Sequence, residues 1–358
     1  MNVVVTGGGT GGHLYPALCL LAELEKKGHT VAYIGSQAGL EGRTQMPCDS
    51  TLLDMSGIKY WTRNPVRAFF ALRRLRAQAE EAIAKFRADI VIGTGGYVSA
   101  PALSAQQGLG GRSYLIEPDA MPGQANKRLA AKSKAVFCAF DEALPVFGVK
   151  ASRTGLPIRQ EALLNIDQSA ARCELGLKPD RFTVLIVGGS QGAVALNDAA
   201  LNAIQRIATD GIQWLHVTGP ANFESNRQTA DRLGLNGNYH PVPYLQGERM
   251  GLAYRAADMA VSRSGSSTVS ELAANGLPAI HVPFPAAARD HQRYNSEALS
   301  SRGAAITMLQ SDLSPEALSQ VVNQWRDDAN ARLEAGRRAK EWSRPDAASR
   351  IVELITEG

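Results

Sequence analysis

The chain has 358 residues, 44% of them hydrophobic and 20% charged, with a formal net charge of +4. That length exceeds one small domain and fits two of ordinary size, and the composition excludes a disordered polyelectrolyte. The mild positive charge suits an acidic ligand or surface without requiring one, and no nucleic-acid partner is expected.

The chain opens on the apolar run Val3-Val4-Val5, followed by Gly7-Gly8-Gly9-Thr10-Gly11-Gly12-His13 and a helical pattern over Pro16–Lys27. Strand, glycine turn, then helix is an arrangement that can hold an anion: glycine lets the backbone approach a ligand, and the helix start offers unpaired N–H groups. A tight turn without a ligand is the plainer reading. Further strands are expected at Thr30–Ile34, Ile90–Ile92, Ser113–Ile116 and Ala135–Cys138, with a long helix over Val66–Phe86. A second series has strands at Thr183–Val187, Trp214–Thr218, Met259–Val261 and Ala279–Val282, and helices at Asn197–Thr209, Thr268–Asn275 and Pro315–Lys340. Short apolar strands alternating with helices predict parallel sheets covered on both faces.

The second series repeats the first: Val184–Val187 runs into Gly188-Gly189-Ser190-Gln191-Gly192-Ala193. This predicts an α/β chain of two tandem Rossmann-like domains, residues 1–157 and 158–344, joined near Gly155-Leu156-Pro157-Ile158-Arg159. The Trp342-Ser343-Arg344-Pro345 segment breaks the last helical region, and a final helix over 345–358 can turn back to the first domain.

No targeting segment or span of roughly 18–20 apolar residues is evident, so a cytosolic protein is expected. Cys19, Cys48, Cys138 and Cys173 lie far apart without a Cys-x-x-Cys pair, which indicates neither zinc nor a disulfide framework. His29, His216, His240 and His281 are scattered and are read as structural. With no Asp-x-Asp, no protein-bound metal and no cofactor is expected.

The glycine turns do not settle the ligand alone. The second strand ends Tyr33-Ile34-Gly35-Ser36 without the carboxylate of a dinucleotide site, and no Gly-Lys-Ser/Thr follows any glycine turn. In Arg263-Ser264-Gly265-Ser266-Ser267-Thr268-Val269-Ser270-Glu271, small hydroxyl residues precede a helix and leave N–H groups for phosphate. Glu271 falls three residues after Thr268, so a capping box and a ribose-binding carboxylate both stand. From Lys59 to Arg87, Tyr60, Trp61, Phe69, Phe70, Leu72 and Leu75 mix with Arg63, Arg67, Arg73, Arg74 and Arg76. This segment is either an interfacial basic helix or an ordinary one with Phe69, Leu72, Ala79 and Ile83 facing the core.

Together, Gly8–His13, Gly95-Gly96-Tyr97-Val98-Ser99, Gly188–Ala193, the 263–271 loop and Asp290-His291-Gln292 with Asn295 resemble the MurG family of glycosyltransferases over nearly the whole chain. The resemblance implies the GT-B fold, with two domains facing each other across a cleft and the C-terminal helix returning to the first. It implies an inverting transfer of N-acetylglucosamine from UDP-GlcNAc to the 4-hydroxyl of MurNAc in lipid I, giving lipid II. The enzyme would sit peripherally on the anionic cytoplasmic membrane surface, with other cell-wall synthesis proteins as further partners.

By the same resemblance, Ser190 and the 266–268 amides hold the pyrophosphate, Glu271 the ribose and the Leu245 backbone the uracil. Arg159, Val269, Ser270, His291 and Gln292 complete the donor side in the second domain, Asp119 contributes to it from the first, and Thr10, Gly11 and Gly12 approach both the donor sugar and the acceptor's pyrophosphate. His13 is the candidate base and, with Gly95, Gly96, Tyr97, Glu117 and Asn126, belongs to the acceptor site. Its plainer role is to hydrogen-bond phosphate or cap the turn. Asp119 departs from the family, which has Asn there; a carboxylate accepts hydroxyl donors but repels phosphate. A UDP-GlcNAc 2-epimerase and a non-catalytic nucleotide-sugar binder are the competing readings.

Overall fold

The computed structural model describes residues 1–56, 65–189, 192–207, 211–235 and 237–357, with the side chains of 65–68 left aside. It divides into two compact units, one of residues 1–158 and 344–358 and the other of residues 159–343.

The first unit contains β1 (Asn2–Thr6), α1 (Gly11–Lys26), β2 (Thr30–Ser36), β3 (Asp49–Leu53), α2 (Pro65–Phe86), β4 (Ile90–Gly93), α3 (Ala100–Gly108), β5 (Arg112–Glu117), α4 (Gln124–Leu129), β6 (Ala135–Cys138), α5 (Leu144–Phe147) and β7 (Ala151–Arg153). Its seven strands are parallel in the order β3-β2-β1-β4-β5-β6-β7. Strand alternation sends Val4, Ile34, Val91 and Leu115 to one face, where Leu75, Ala79 and Ile83 of α2 cover them. The spacing of those three residues by four is the buried stripe of α2. Leu75 therefore takes the core place that the sequence pattern assigned to Phe69, and Phe69 and Phe70 are instead 53% and 64% exposed.

The second unit contains α6 (Gln168–Glu174), β8 (Phe182–Val187), α7 (Val194–Arg206), β9 (Ile212–Val217), α8 (Phe223–Arg232), β10 (Tyr239–Val242), α9 (Glu248–Ala256), β11 (Met259–Ser262), α10 (Ser266–Ala274), β12 (Ala279–His281), α11 (His291–Ser300), β13 (Ala305–Thr307), α12 (Pro315–Asp327) and α13 (Ala329–Trp342). Its six parallel strands run β10-β9-β8-β11-β12-β13. Val184, Ile186, Trp214 and Val261 pack on α7 and α12, while Leu185, Leu215 and Ala260 pack on the side of α9 and α10. The single helix expected over Pro315–Lys340 is two. Asp328 leaves helical geometry (φ −103°, ψ 85°) and caps α13 by accepting from the Ala331 amide at 2.9 Å.

After Pro345 the chain forms α14 (Ala347–Glu357), which belongs to the first unit and packs on α1. Ile351, Val352 and Ile355 are fully buried there, and Lys27 pairs with Glu353 at 3.2 Å.

Candidate active site

In an open parallel sheet, the strand order reverses at one point, and loops leaving the carboxyl ends of the two strands there diverge to leave a binding crevice. In the second unit that point lies between β8 and β11. The turn after β8 contains Ser190, which lies outside the described residues. The loop after β11 leads into α10, whose N-cap is Gly265 in extended conformation with no side-chain cap. The first-turn amides of Ser266, Ser267 and Thr268 are therefore uncapped by any side chain, and Ser264 Oγ and Ser267 Oγ are buried without a hydrogen-bond partner. Uncapped amides at a helix start beside two unsatisfied hydroxyls form a receptor for an anion. Val269 is fully buried and Ser270 nearly so, which gives Val269 a packing role beneath the loop.

Because α10 begins at Ser266, Thr268 is already inside the helix and cannot be the N-cap of a capping box with Glu271. The Glu271 carboxylate is 3% exposed and takes a bidentate pair from Arg159, Nε to Oε1 and Nη2 to Oε2, both at 3.0 Å. The Tyr254 hydroxyl donates to Oε2 at 2.7 Å. Among the described residues, Oε1 accepts one hydrogen bond and Oε2 two, so Oε1 keeps an acceptor position for a hydroxyl. Arg159 and Glu271 both belong to the second unit. Nothing in the sequence around Tyr254 signals its part.

Leu245, beyond β10, has a buried side chain, while its amide and carbonyl have no backbone partner among the described residues. At the start of α11, His291 Nδ1 donates to the Ala288 carbonyl at 2.9 Å, and Gln292 Oε1 accepts from the Phe284 amide at 3.0 Å. The two residues before α11, Arg289 and Asp290, are left-handed (φ 56° and 58°), a conformation costly for non-glycine residues. Asn295 is fully buried and donates to the Ser264 carbonyl at 3.2 Å, tying α11 to the anion loop.

In the first unit the reversal lies between β1 and β4. Thr10 is the exposed N-cap of α1, and no carbonyl of the described residues accepts from the amides of Gly11 and Gly12. His13 Nδ1 lies 3.2 Å from the carbonyl oxygen of Thr94, while the Thr94 hydroxyl donates to the His13 carbonyl at 2.8 Å. A carbonyl only accepts, so Nδ1 is the donor in this contact. The ring rests on Gly95 and Gly96, both at positive φ (98° and 75°); a Cβ there would come within 3.0 Å of Nδ1 and 2.9 Å of Cδ2. Tyr97 beside them is 47% exposed.

One residue that the sequence reading overlooked is Glu41, which is 1% exposed beneath the glycine turn. Its carboxylate accepts from the Gly9 amide at 2.9 and 3.1 Å and from the Ser36 amide at 2.9 Å. The absence of an acidic residue at the end of β2 was the visible signal; the carboxylate arrives five residues later and points inward.

The first unit matches the glycosyltransferase family 28 N-terminal domain over residues 3–138, and residues 183–351 match the family 28 C-terminal domain. A UDP-N-acetylglucosamine--N-acetylmuramyl-(pentapeptide) pyrophosphoryl-undecaprenol N-acetylglucosamine transferase from Halorhodospira halophila is 38% identical over 362 residues, covering 99% of this chain and 98% of its own. The transferase of the same name from Moorella thermoacetica is 35% identical over 369 residues, with coverage of 99% and 98%. The crystal structure of Acinetobacter baumannii MurG is similar with a TM-score of 0.81 at 28% identity, covering 100% of this chain and 99% of that one.

The chain belongs to the MurG family of glycosyltransferases.

The expected class of two Rossmann-like, parallel-sheet domains of GT-B type holds. The Asp119 carboxylate has a local consequence. Glu117, 1% exposed, accepts from the Asn126 amide group at 2.9 Å, the Gly123 amide at 3.0 Å and the Asp119 amide at 3.2 Å. It thus holds the 118–123 loop closed from within. Burial first, and then the neighbouring Asp119 charge, push its carboxyl up to about 8. Asn126 is 2% exposed and also donates to the Ile116 carbonyl at 3.0 Å, so Glu117 and Asn126 shape this loop from below its surface.

The scattered histidines have structural partners in part: His216 bridges Tyr239 and Asn197, and His281 bonds Ser262. Burial holds His216 and His281 down to about 3 and about 4.

Proposed function

We propose that this glycosyltransferase moves N-acetylglucosamine from UDP-GlcNAc to the 4-hydroxyl of MurNAc in lipid I, with inversion, giving lipid II at the cytoplasmic face of the membrane. The full-length likeness to transferases carrying that activity in their names supports the donor and acceptor. The observation that carries the donor assignment is the α10 entry. Its uncapped amides and the unpartnered Ser264 and Ser267 hydroxyls suit a pyrophosphate, and the open acceptor position on Glu271 Oε1, a few residues along the same helix, suits a ribose hydroxyl.

In this mechanism the second unit holds the donor. The unpaired Leu245 backbone reads uracil, with His291 and Gln292 toward the sugar and Ser190 at the phosphates. As the glycosidic bond breaks, charge develops on UDP, and the fixed dipole of α10 stabilises it. The first unit receives the acceptor: Thr10 and the free amides of Gly11 and Gly12 face the lipid diphosphate, and His13 Nε2 takes the 4-hydroxyl proton. Donation from Nδ1 to the Thr94 carbonyl suits this role. The chemistry assigned here needs no protein-bound metal.

The membrane side of the proposal rests on α2. No helix among the described residues is long and apolar enough to cross a membrane. Phe69 and Phe70 nevertheless stand in solvent edge to face, with Arg73 over the Phe69 ring at 5.9 Å and Arg74 exposed nearby. Aromatic rings with flanking arginines suit an anionic headgroup layer. Tyr60, Trp61 and Arg63 lie outside the described residues.

A transfer assay with UDP-GlcNAc and a lipid I analogue, with UDP-GalNAc as donor control, tests the proposal. The expected result is a GlcNAc-bearing disaccharide product and a His13→Ala rate reduced by about 10²–10⁴-fold. Efficient conversion of UDP-GlcNAc alone to UDP-ManNAc would favour an epimerase, and UDP binding without turnover a binder.

A further inference from the structure

The glycine turn after β1 has the form of an anion site, and part of it already holds an anion supplied by the chain itself. We propose that Glu41 is a positioning residue for catalysis: its carboxylate, in place of a substrate phosphate, is the anion around which the base of the turn is built, and it sets the backbone that presents Thr10 and His13. The proposal rests on the reading of His13 as the base.

Three observations carry it. Both carboxylate oxygens accept from the Gly9 amide, and Oε1 also takes the Ser36 amide, so the carboxylate links the β1 turn to the end of β2. Glycines surround the carboxylate: a Cβ on Gly8, Gly35 or Gly39 would come within 2.5, 2.9 or 2.3 Å of Glu41 atoms, so the site is cut to its shape. Tyr33 completes the enclosure by donating its hydroxyl to the Gly7 carbonyl. Among the described residues no cation pairs with Glu41, so backbone amides alone offset its buried charge. The turn is consequently divided. Gly9 is committed inward, while the amides of Gly11 and Gly12 at the start of α1 remain available to a ligand.

Glutamine at this position has the same size but one acceptor oxygen, and its NH2 group must oppose one of the amide donors. Aspartate is one methylene too short to span the two amides. The test uses full-length Glu41→Gln, Glu41→Asp and Glu41→Ala proteins with UDP-GlcNAc and a lipid I analogue, UDP binding by calorimetry, and Glu41→Gln repeated in a His13→Ala background. We expect kcat to fall about tenfold or more in each variant while UDP affinity stays within about twofold, because the donor elements belong to the other unit. In the His13→Ala background, Glu41→Gln is expected to change the residual rate by less than about twofold, as required of residues that act as a unit.

If Glu41→Ala does not fold, Glu41→Gln carries the comparison. A kcat within twofold of the parent in Glu41→Gln overturns the proposal. So does an equal loss in both backgrounds, which would mark a merely structural role. Full activity of His13→Ala by itself would instead sink the base reading on which the proposal rests.

Discussion

The Tyr254 hydroxyl donates to Glu271 Oε2 at 2.7 Å from a position wholly inside the second unit. Arg159 grips the same carboxylate from the other side, so Glu271 is oriented before any ligand arrives. A hydrogen bond to a charged group contributes roughly 1.5–3 kcal/mol. Tyr254→Phe removes that bond and little else, and is expected to weaken UDP binding about tenfold, the equivalent of about 1.4 kcal/mol. Calorimetry with UDP checks this, and unchanged affinity would show that Arg159 alone positions the carboxylate.

Gly96 supports the His13 ring. Alanine there carries a double penalty, a backbone at φ 75° and ψ 166° that only glycine adopts readily and a Cβ 2.9 Å from the imidazole. The backbone term alone is about 1–3 kcal/mol. Gly96→Ala is expected to lower kcat about tenfold or more while leaving the KM for UDP-GlcNAc within about twofold. A fall in donor affinity with kcat intact would place Gly96 elsewhere in the mechanism.

Glu117 makes stability depend on pH in a defined direction. Its carboxyl is raised from 4.5 to about 8, so the folded state favours the protonated form. The stability this confers is complete below the ordinary carboxylate value and is lost as pH rises through about 8. The Tm advantage of the parent over Glu117→Gln should therefore shrink between pH 5 and about 8 and then level off. Asp119→Asn, by removing one of the two causes of the shift, should move the end of that window to lower pH. Melting curves across this range for the parent, the two single variants and the double variant decide it.

Phe69 and Phe70 are expected to act at a lipid surface and nowhere else. Burying a phenylalanine side chain contributes roughly 1.5–3 kcal/mol. The Phe69→Ser/Phe70→Ser double variant should bind anionic vesicles at least tenfold more weakly, by about 1.4 kcal/mol or more, yet turn over a water-soluble acceptor at the parent rate. Co-sedimentation at two salt concentrations separates the apolar contribution from that of Arg73 and Arg74.

Chelation tests the proposed charge stabilisation by α10. Since amides and hydroxyls are assigned to the diphosphate, EDTA should leave kcat within about twofold, whereas Ser267→Ala should reduce it about tenfold. Loss of activity in EDTA with recovery on adding magnesium would overturn that assignment.

The central strands were legible in the sequence because strands buried on both faces read as unbroken apolar runs, as Val3–Val5 and Val184–Val187 do. The four strands not expected, β3, β7, β10 and β13, are the four sheet edges. Each is only partly buried, as Asp49-Ser50-Thr51 and Ala151-Ser152-Arg153 illustrate, so none has the apolar signature of a core strand. The break at Pro345 and the helix beyond it were equally visible, because proline's effect on the backbone is local.

Side-chain partnerships were not legible. The spacing of Thr268 and Glu271 suited a cap and a ribose site equally, and the choice depended on where α10 starts and on Arg159, which lies 112 residues away in the chain. Glu41 was hidden for a related reason: a lone glutamate in a loop becomes an internal anion only when β1 and β2 pair and bring the Gly9 and Ser36 amides to the same point. Sequence alone determined the two α/β domains and their glycine turns, because local backbone preferences and apolar periodicity encode them, and its motifs carried the resemblance to the family. The tertiary structure decided which carboxylates face a substrate and which are spent on the fold, since a charge takes its role from the donors that long-range packing brings to it.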